Sequence, residues 1–365
     1  MHLLLLLLPL LASAGWVNVS VSNTALRRTV SGAIVGAQDG NIANARFNNN
    51  FVLMGMSYGD CPYQGCKNES YGACGFGAGR FLAWLSPTLG DGSWADAPIE
   101  ILPASSRPPA LARAIFFRPH LLYNAATRQW VLWVRYLPPA GPTLADDPTL
   151  YLSATAPSLD APFTIAQLSV PCYYNNSADN SLFVDPAEPS AAYLIHTSRS
   201  TGTRISVERL SADWTWSRGF NDSAARSELV GPGGTEAPAL AWAGGRYLLT
   251  MSPLCCYCAS GSPTLTFAAP RPLGPYAPLG SGLGNAPRAQ QTFLFADPAL
   301  LQGGVALWAG NRWGSDPIHP AAPLFDYSLQ YWALLQLDAS GAALAPLAWQ
   351  DSITLTVFEG AKEEE

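Results

Sequence analysis

An all-β fold, a five-bladed β-propeller, is predicted for this chain of 365 residues. Three observations predict it. One strand-like pattern recurs five times, each copy is followed by a second strand, and no apolar period of 3.6 residues intervenes. The composition agrees: 48% hydrophobic and 13% charged residues can bury a large core and exclude a disordered chain. Glycine (32), proline (31) and tryptophan (12) suit short strands joined by turns and argue against a helical bundle. A paired strand unit cannot bury both faces alone, and stacking such units radially about an axis solves this.

The first element is an address. Met1-His2 precedes the apolar run Leu3 to Ala12, and Ala12-Ser13-Ala14 supplies a small-x-small cleavage site. A membrane span needs about 20 residues, so this run is too short for one. Residues 1–14 are expected to be a secretory signal peptide, residues 15–357 a single propeller domain, and residues 358–365 a short acidic tail. A secreted, extracellular protein with no membrane partner after cleavage follows.

The recurring pattern is FVLMGMS from Phe51, WVLWVR from Trp130, AYLIHTS from Ala192, RYLLTMS from Arg246 and VALWAG from Val305. The strands that follow begin near Arg80, Leu150, Ile205, Leu265 and Tyr331. Intervals of roughly 55 to 80 residues leave room for blades of about four strands with long loops.

Seven cysteines (Cys61, Cys66, Cys74, Cys172, Cys255, Cys256, Cys258) fit an oxidising compartment and disulfides, with at least one left over. Cys255-Cys256-Tyr257-Cys258 is a poor zinc knuckle, because adjacent cysteines on a strand point to opposite faces. Asn18, Asn68, Asn175 and Asn221 open glycosylation sequons. The net charge is −6, with lysine only at 67 and 362; no basic stripe exists, so no nucleic-acid partner is expected.

Some motifs tempt and fail. Gly55-Met-Ser57-Tyr-Gly59 matches a nucleophile elbow, but loop residues follow where that motif needs a helix. Gly75, Gly77 and Gly79 lack the spacing of a phosphate loop. His2, His120, His196 and His319 form no ligand spacing and read as structural or exposed.

Acidic residues are sparse, and three hold similar places before a recurring strand: Asp39 in QDGN, Asp179 in ADNSLFVD and Glu236 in GGTEAP. Radial stacking brings equivalent positions to one axis, so these three are expected to converge. Convergent carboxylates suit glycoside hydrolysis, in which a protonated acid serves the leaving oxygen and a carboxylate activates water on the opposite face. Singly, Asp39 and Asp179 also read as turn residues and Glu236 as a surface-loop residue.

At these residues the sequence resembles the five-bladed glycosidases of glycoside hydrolase family 43, over roughly residues 30 to 345. The resemblance implies Asp39 as general base, Asp179 as the aspartate that modulates the acid, and Glu236 as general acid. It is nearest the branch containing exo-β-1,3-galactanases, through FRPHLLYN (117–124), RAQQTF (288–293) and GNRW (310–313). In that branch a glutamine is implicated in place of an aspartate base, and Gln290 matches it. The chain departs from the branch at Phe117, where a glutamate precedes Arg-Pro, at Asn311, where an aspartate precedes Arg-Trp, and at Gln38, where a histidine often stands.

Trp313, Tyr58 and Trp84 are candidates for stacking on a pyranose, as against filling blades. Arg118 and Arg312 are candidates for donating to sugar hydroxyls, as against capping backbone carbonyls. The expected substrate is a polysaccharide or oligosaccharide of the galactan, arabinan or xylan class, cleaved with inversion; the alternative is an inactive carbohydrate-binding propeller. No cofactor is implied. A channel calcium occurs in some relatives, but no ligand set in the sequence calls for it.

Overall fold

The computed structural model describes residues 15–57, 79–112, 114–138, 150–173, 177–254, 261–302, 306–312, 329–338 and 344–360. The leader, Tyr58, Trp313, His319, the glycines at 75 and 77 and every cysteine except Cys172 lie outside the described residues.

The described strands form six antiparallel sheets. One joins the ends of the described chain: β1 (Gly15–Ser22) pairs with the last strand, β21 (Ser352–Glu359), from Gly15↔Glu359 to Ser22↔Ser352. β21 thus runs two residues into the stretch expected to be the tail. Sheet I contains β2 (Gln38–Ile42), β3 (Phe51–Ser57), β4 (Arg80–Ser86) and β5 (Ile99–Ile101). Sheet II contains β6 (Ile115–Asn124), β7 (Gln129–Leu137), β8 (Leu150–Ala156) and β9 (Thr164–Val170). Sheet III contains β10 (Ser177–Val184), β11 (Ala192–Ser198) and β12 (Arg204–Arg209). Sheet IV contains β13 (Thr235–Ala243), β14 (Arg246–Pro253), β15 (Leu265–Ala269) and β16 (Ala277–Pro278). Sheet V contains β17 (Gln290–Phe295), β19 (Ala306–Asn311) and β20 (Gln330–Leu335). Between the first two of these, β18 (Leu301–Gln302) leaves sheet V and adds to the free edge of β21.

The recurring sequence pattern is the second strand of each of sheets I to V, and the strand predicted after it is the third. These second strands read as continuous apolar runs because both of their faces are covered. Alternation along β3 shows how. Val52 and Met54 enter a cluster with Phe116 and Leu132 of sheet II, while Phe51 and Leu53 enter one with Phe293 and Trp332 of sheet V. Further clusters lie between sheets II and III (Trp133, Leu194), III and IV (Ile195, Leu249), and IV and V (Leu248, Trp308). The first strands follow the same cycle: β2 touches β6, β6 touches β10, β10 touches β13, β13 touches β17, and β17 touches β2.

Candidate active site

Each first strand is interrupted at one place. The register shifts between Gln38 and Asn41 in β2, Phe117 and His120 in β6, Ser177 and Asn180 in β10, Glu236 and Ala239 in β13, and Gln291 and Phe293 in β17. A β-bulge re-aims a side chain and bends its strand. Asp39 (φ 64°), Arg118 (φ 48°) and Ala237 (φ 52°) are left-handed at their bulges. That conformation costs an L-residue about 1–2 kcal/mol and is held only by strong surroundings. Beside Asp39, a Cβ on Gly40 would lie 1.9 Å from the Met54 carbonyl oxygen, so the strand needs glycine there.

Arg118 connects these bulges. Its side chain is 2% exposed. Its Nη2 lies 3.1 Å from Asp179 Oδ2, its Nε lies 3.5 Å from Asp39 Oδ1, and its Nη1 donates to the Gln291 carbonyl at 3.0 Å. Its backbone N–H donates to Asp39 Oδ2 at 3.3 Å. One guanidinium on β6 therefore reaches β2, β10 and β17. Arg135 of β7 takes the other Asp179 oxygen, Nη1 to Oδ1 at 3.0 Å, and lies over the Phe117 ring with its Cζ 4.8 Å from the centroid. Burial opposes ionisation of Asp179, but Arg118, Arg135 and Arg199 outweigh it and hold the carboxyl below its ordinary range.

The fifth strand is tied in by amides. Gln290 Nε2 donates to Glu236 Oε1 at 3.0 Å. Gln291 Nε2 donates to the Ala237 carbonyl at 3.0 Å, and Gln291 Oε1 accepts from Trp308 Nε1 at 2.7 Å. Glu236 is thus reached from Arg118 through consecutive residues of β17.

His120 ends the β6 bulge. It is fully buried, and its Nδ1 accepts the Leu182 N–H at 3.3 Å. Burial, and then the neighbouring Arg118 charge, push its pKa down to about 3. His196 is also buried, with Nε2 2.7 Å from Glu208 Oε1. Both histidines are interior residues, matching the structural reading of their sequence positions.

Asp39, Asp179, Glu236, Gln290 and Arg118 are thus brought into one connected network, and Tyr58 and Trp313 lie outside the described residues. Arg118 meets two carboxylates and the Gln291 carbonyl. Arg312 is buried next to Asn311, which pairs with Gln290, and its guanidinium lies over the Trp349 ring at 4.7 Å. Trp84 fills the core between sheets I and V and donates to the Gly36 carbonyl at 2.9 Å, so it presents no face to a sugar. Sequence reasoning missed Arg135 and Gln291. Their only signal was a polar residue closing or opening an apolar run.

Among the described residues no three His, Cys, Asp or Glu side chains group to hold a metal.

No protein-family model matches the sequence, and no curated protein matches it. Solved structures do match in fold. A β-1,3-galactosidase of glycoside hydrolase family 43 superposes with a TM-score of 0.67 at 17% identity, over 92% of this chain and 64% of its own. This chain therefore spans just under two thirds of that relative's length. The exo-β-1,3-galactanase of Phanerochaete chrysosporium, determined with β-1,3-galactotriose, gives a TM-score of 0.66 at 18% identity over 91% of this chain and 67% of its own. The exo-β-1,3-galactanase of Clostridium thermocellum gives 0.66 at 18% identity over 94% and 68%. The chain has the all-β fold of the family 43 glycoside hydrolases that its sequence motifs resemble, and its bulged first strands carry the candidate site.

Proposed function

We propose that this chain is a secreted glycoside hydrolase on a five-bladed β-propeller, acting on galactose-bearing polysaccharide or oligosaccharide. The single observation that carries the reading is the bonded network joining Asp39, Asp179 and Glu236 from three separate sheets. The cyclic contacts of the first strands and the apolar cluster between each pair of neighbouring sheets support the five-blade count. The leader at residues 1–14 supports secretion. The galactosidase and galactanase folds favour galactan over arabinan or xylan.

In this reading Glu236 protonates the leaving oxygen and Asp39 activates water from the other face of the sugar, giving inversion. Gln290 orients Glu236 rather than replacing the base. An inverting pair stands roughly 6.5–9.5 Å apart to admit water. Gln290 is in hydrogen-bond contact with Glu236 at 3.0 Å, on the acid's own side. Asp179, paired to two guanidinium groups, keeps Arg118 in place, and through Arg118 and β17 it is linked to the acid that it modulates in this reading.

A second reading, glycan binding without turnover, is favoured by Phe117. Where the galactanase branch carries a glutamate, its ring packs under Arg135. Release of reducing sugar from galactan, arabinan and xylan separates the two. The hydrolase reading expects turnover of galactan by the wild type and a loss of about 10²–10⁴ in rate for Glu236→Gln. Equal activity in the two proteins removes Glu236 from the mechanism, and saturable binding with no turnover supports the second reading.

A further inference from the structure

We propose that Trp349 is a sugar-stacking platform remote from Glu236, a second contact for an oligosaccharide chain whose end occupies the bulged site. The inference rests on the glycoside hydrolase reading and adds to it a preference for longer substrates.

Sheet V locates the residue. Gln290, which holds Glu236, pairs with Asn311, and Asn311 pairs with Gln330. This row crosses the sheet at the end that bears the site, over two strand spacings or roughly 10 Å. Beyond it, Tyr331 fastens the segment carrying Trp349: its hydroxyl accepts the Gln350 N–H at 3.0 Å and donates to the Ala348 carbonyl at 3.1 Å. Trp349 therefore stands at the same end of the sheet as Gln290, at a distance that a chain of sugars bridges and a single sugar does not.

The indole is held still. Arg312, the residue after Asn311, places its guanidinium over the ring at 4.7 Å. The Tyr331 ring lies 5.1 Å away, tilted by 39°, and Nε1 donates to Asp351 Oδ1 at 2.7 Å. Trp349 nevertheless remains 39% exposed. For a side chain of this size the exposed part is about 100 Å². A single exposed apolar residue is ordinary on a protein surface. Val30 and Leu254 are more exposed, at 71% and 53%, but offer no ring, and Trp16, at 40%, stands on β1, outside sheets I to V. A ring already fixed in place loses little conformational entropy when a pyranose C–H face settles on it. Buried Arg312 thus backs the platform.

Calorimetric titration tests this, using galactose and β-1,3-linked galactotriose with the Glu236→Gln protein, with and without Trp349→Ala. Trp349→Ala is expected to weaken the trisaccharide about tenfold and galactose less than twofold, and Trp349→Phe is expected to recover most of the loss. Equal weakening of both sugars, or an unchanged trisaccharide affinity, overturns the platform. Galactan turnover in the protein retaining Glu236 is measured in parallel. Turnover whose KM is insensitive to Trp349→Ala overturns the platform alone. Absence of both turnover and binding overturns the platform together with the hydrolase reading.

Discussion

Arg118 and Asp179 stand on the first strands of neighbouring sheets and form an ion pair of 3.1 Å with side chains only 2% and 13% exposed. The same guanidinium meets Asp39, so a single side chain balances two carboxylates that two other sheets deliver. Such an arrangement is more than a local contact: it ties the cycle of first strands together with polar bonds, where the apolar clusters between sheets end. The bulges supply the directions, since a regular strand would send Asp39 and Arg118 into the packing between sheets.

Replacing Arg118 by methionine should therefore destabilise the protein strongly. Removing one partner of a buried pair leaves an uncompensated charge and costs about 3–5 kcal/mol. Asp179 retains Arg135, so Asp39 bears most of the penalty. Combining Arg118→Met with Asp39→Asn should recover part of the loss in a double-mutant cycle. Urea unfolding of the four proteins measures this; strictly additive single effects would show that the two residues do not interact.

His120 predicts a pH dependence of stability. Buried and accepting the Leu182 N–H, it is neutral when folded, with its pKa pushed down to about 3 from an ordinary value of 6.5. Between those two values the unfolded chain binds a proton that the folded chain does not. Stability is then lost as pH falls, by about 1.4 kcal/mol per pH unit from this residue. His120→Gln removes that proton from both states. The variant should be less stable than wild type at pH 7, and the gap should narrow by about 2 kcal/mol at pH 5. Urea unfolding at the two pH values decides it: a gap of constant size means His120 is not the titrating group.

The legibility of this chain follows burial. Second and third strands are apolar runs because neighbouring sheets cover them, and FVLMGMS or RYLLTMS stand out for that reason. First strands are harder to see. QDGNI, the Arg-Pro of β6 and the Glu-Ala-Pro of β13 look like loop sequence because bulges interrupt them, yet antiparallel pairing on either side of each bulge makes them strands. Asp39, Asp179 and Glu236 could be grouped from their shared position before a recurring strand. Arg135 could not, because its partner Asp179 lies 44 residues on and in another sheet. Trp84 marks a different limit: composition offers aromatic side chains, but only packing tells a core tryptophan from an exposed one such as Trp349.

Asn41 gives the sharpest test of how the site strands are held together. Its Oδ1 accepts the Leu121 N–H at 2.9 Å and its Nδ2 donates to the Leu121 carbonyl at 3.1 Å, so one side chain imitates a strand partner between β2 and β6. Asn44 repeats the arrangement with Tyr123, at 2.7 Å and 3.0 Å. Asn41→Ala would strand the Leu121 N–H and carbonyl, at about 1–3 kcal/mol each. Asn41→Asp keeps the accepted bond but turns the donor into a second acceptor facing the Leu121 carbonyl, so it should be no better than alanine near neutral pH. Asn41 lies two residues from Asp39, and slack between β2 and β6 moves Asp39 relative to Arg118. On the proposed hydrolase reading, galactan turnover should therefore fall in Asn41→Ala even at temperatures where the variant is fully folded. Thermal unfolding and turnover measured on the same preparation check both halves: a stable, fully active variant would mean that β2 is positioned by its own sheet alone.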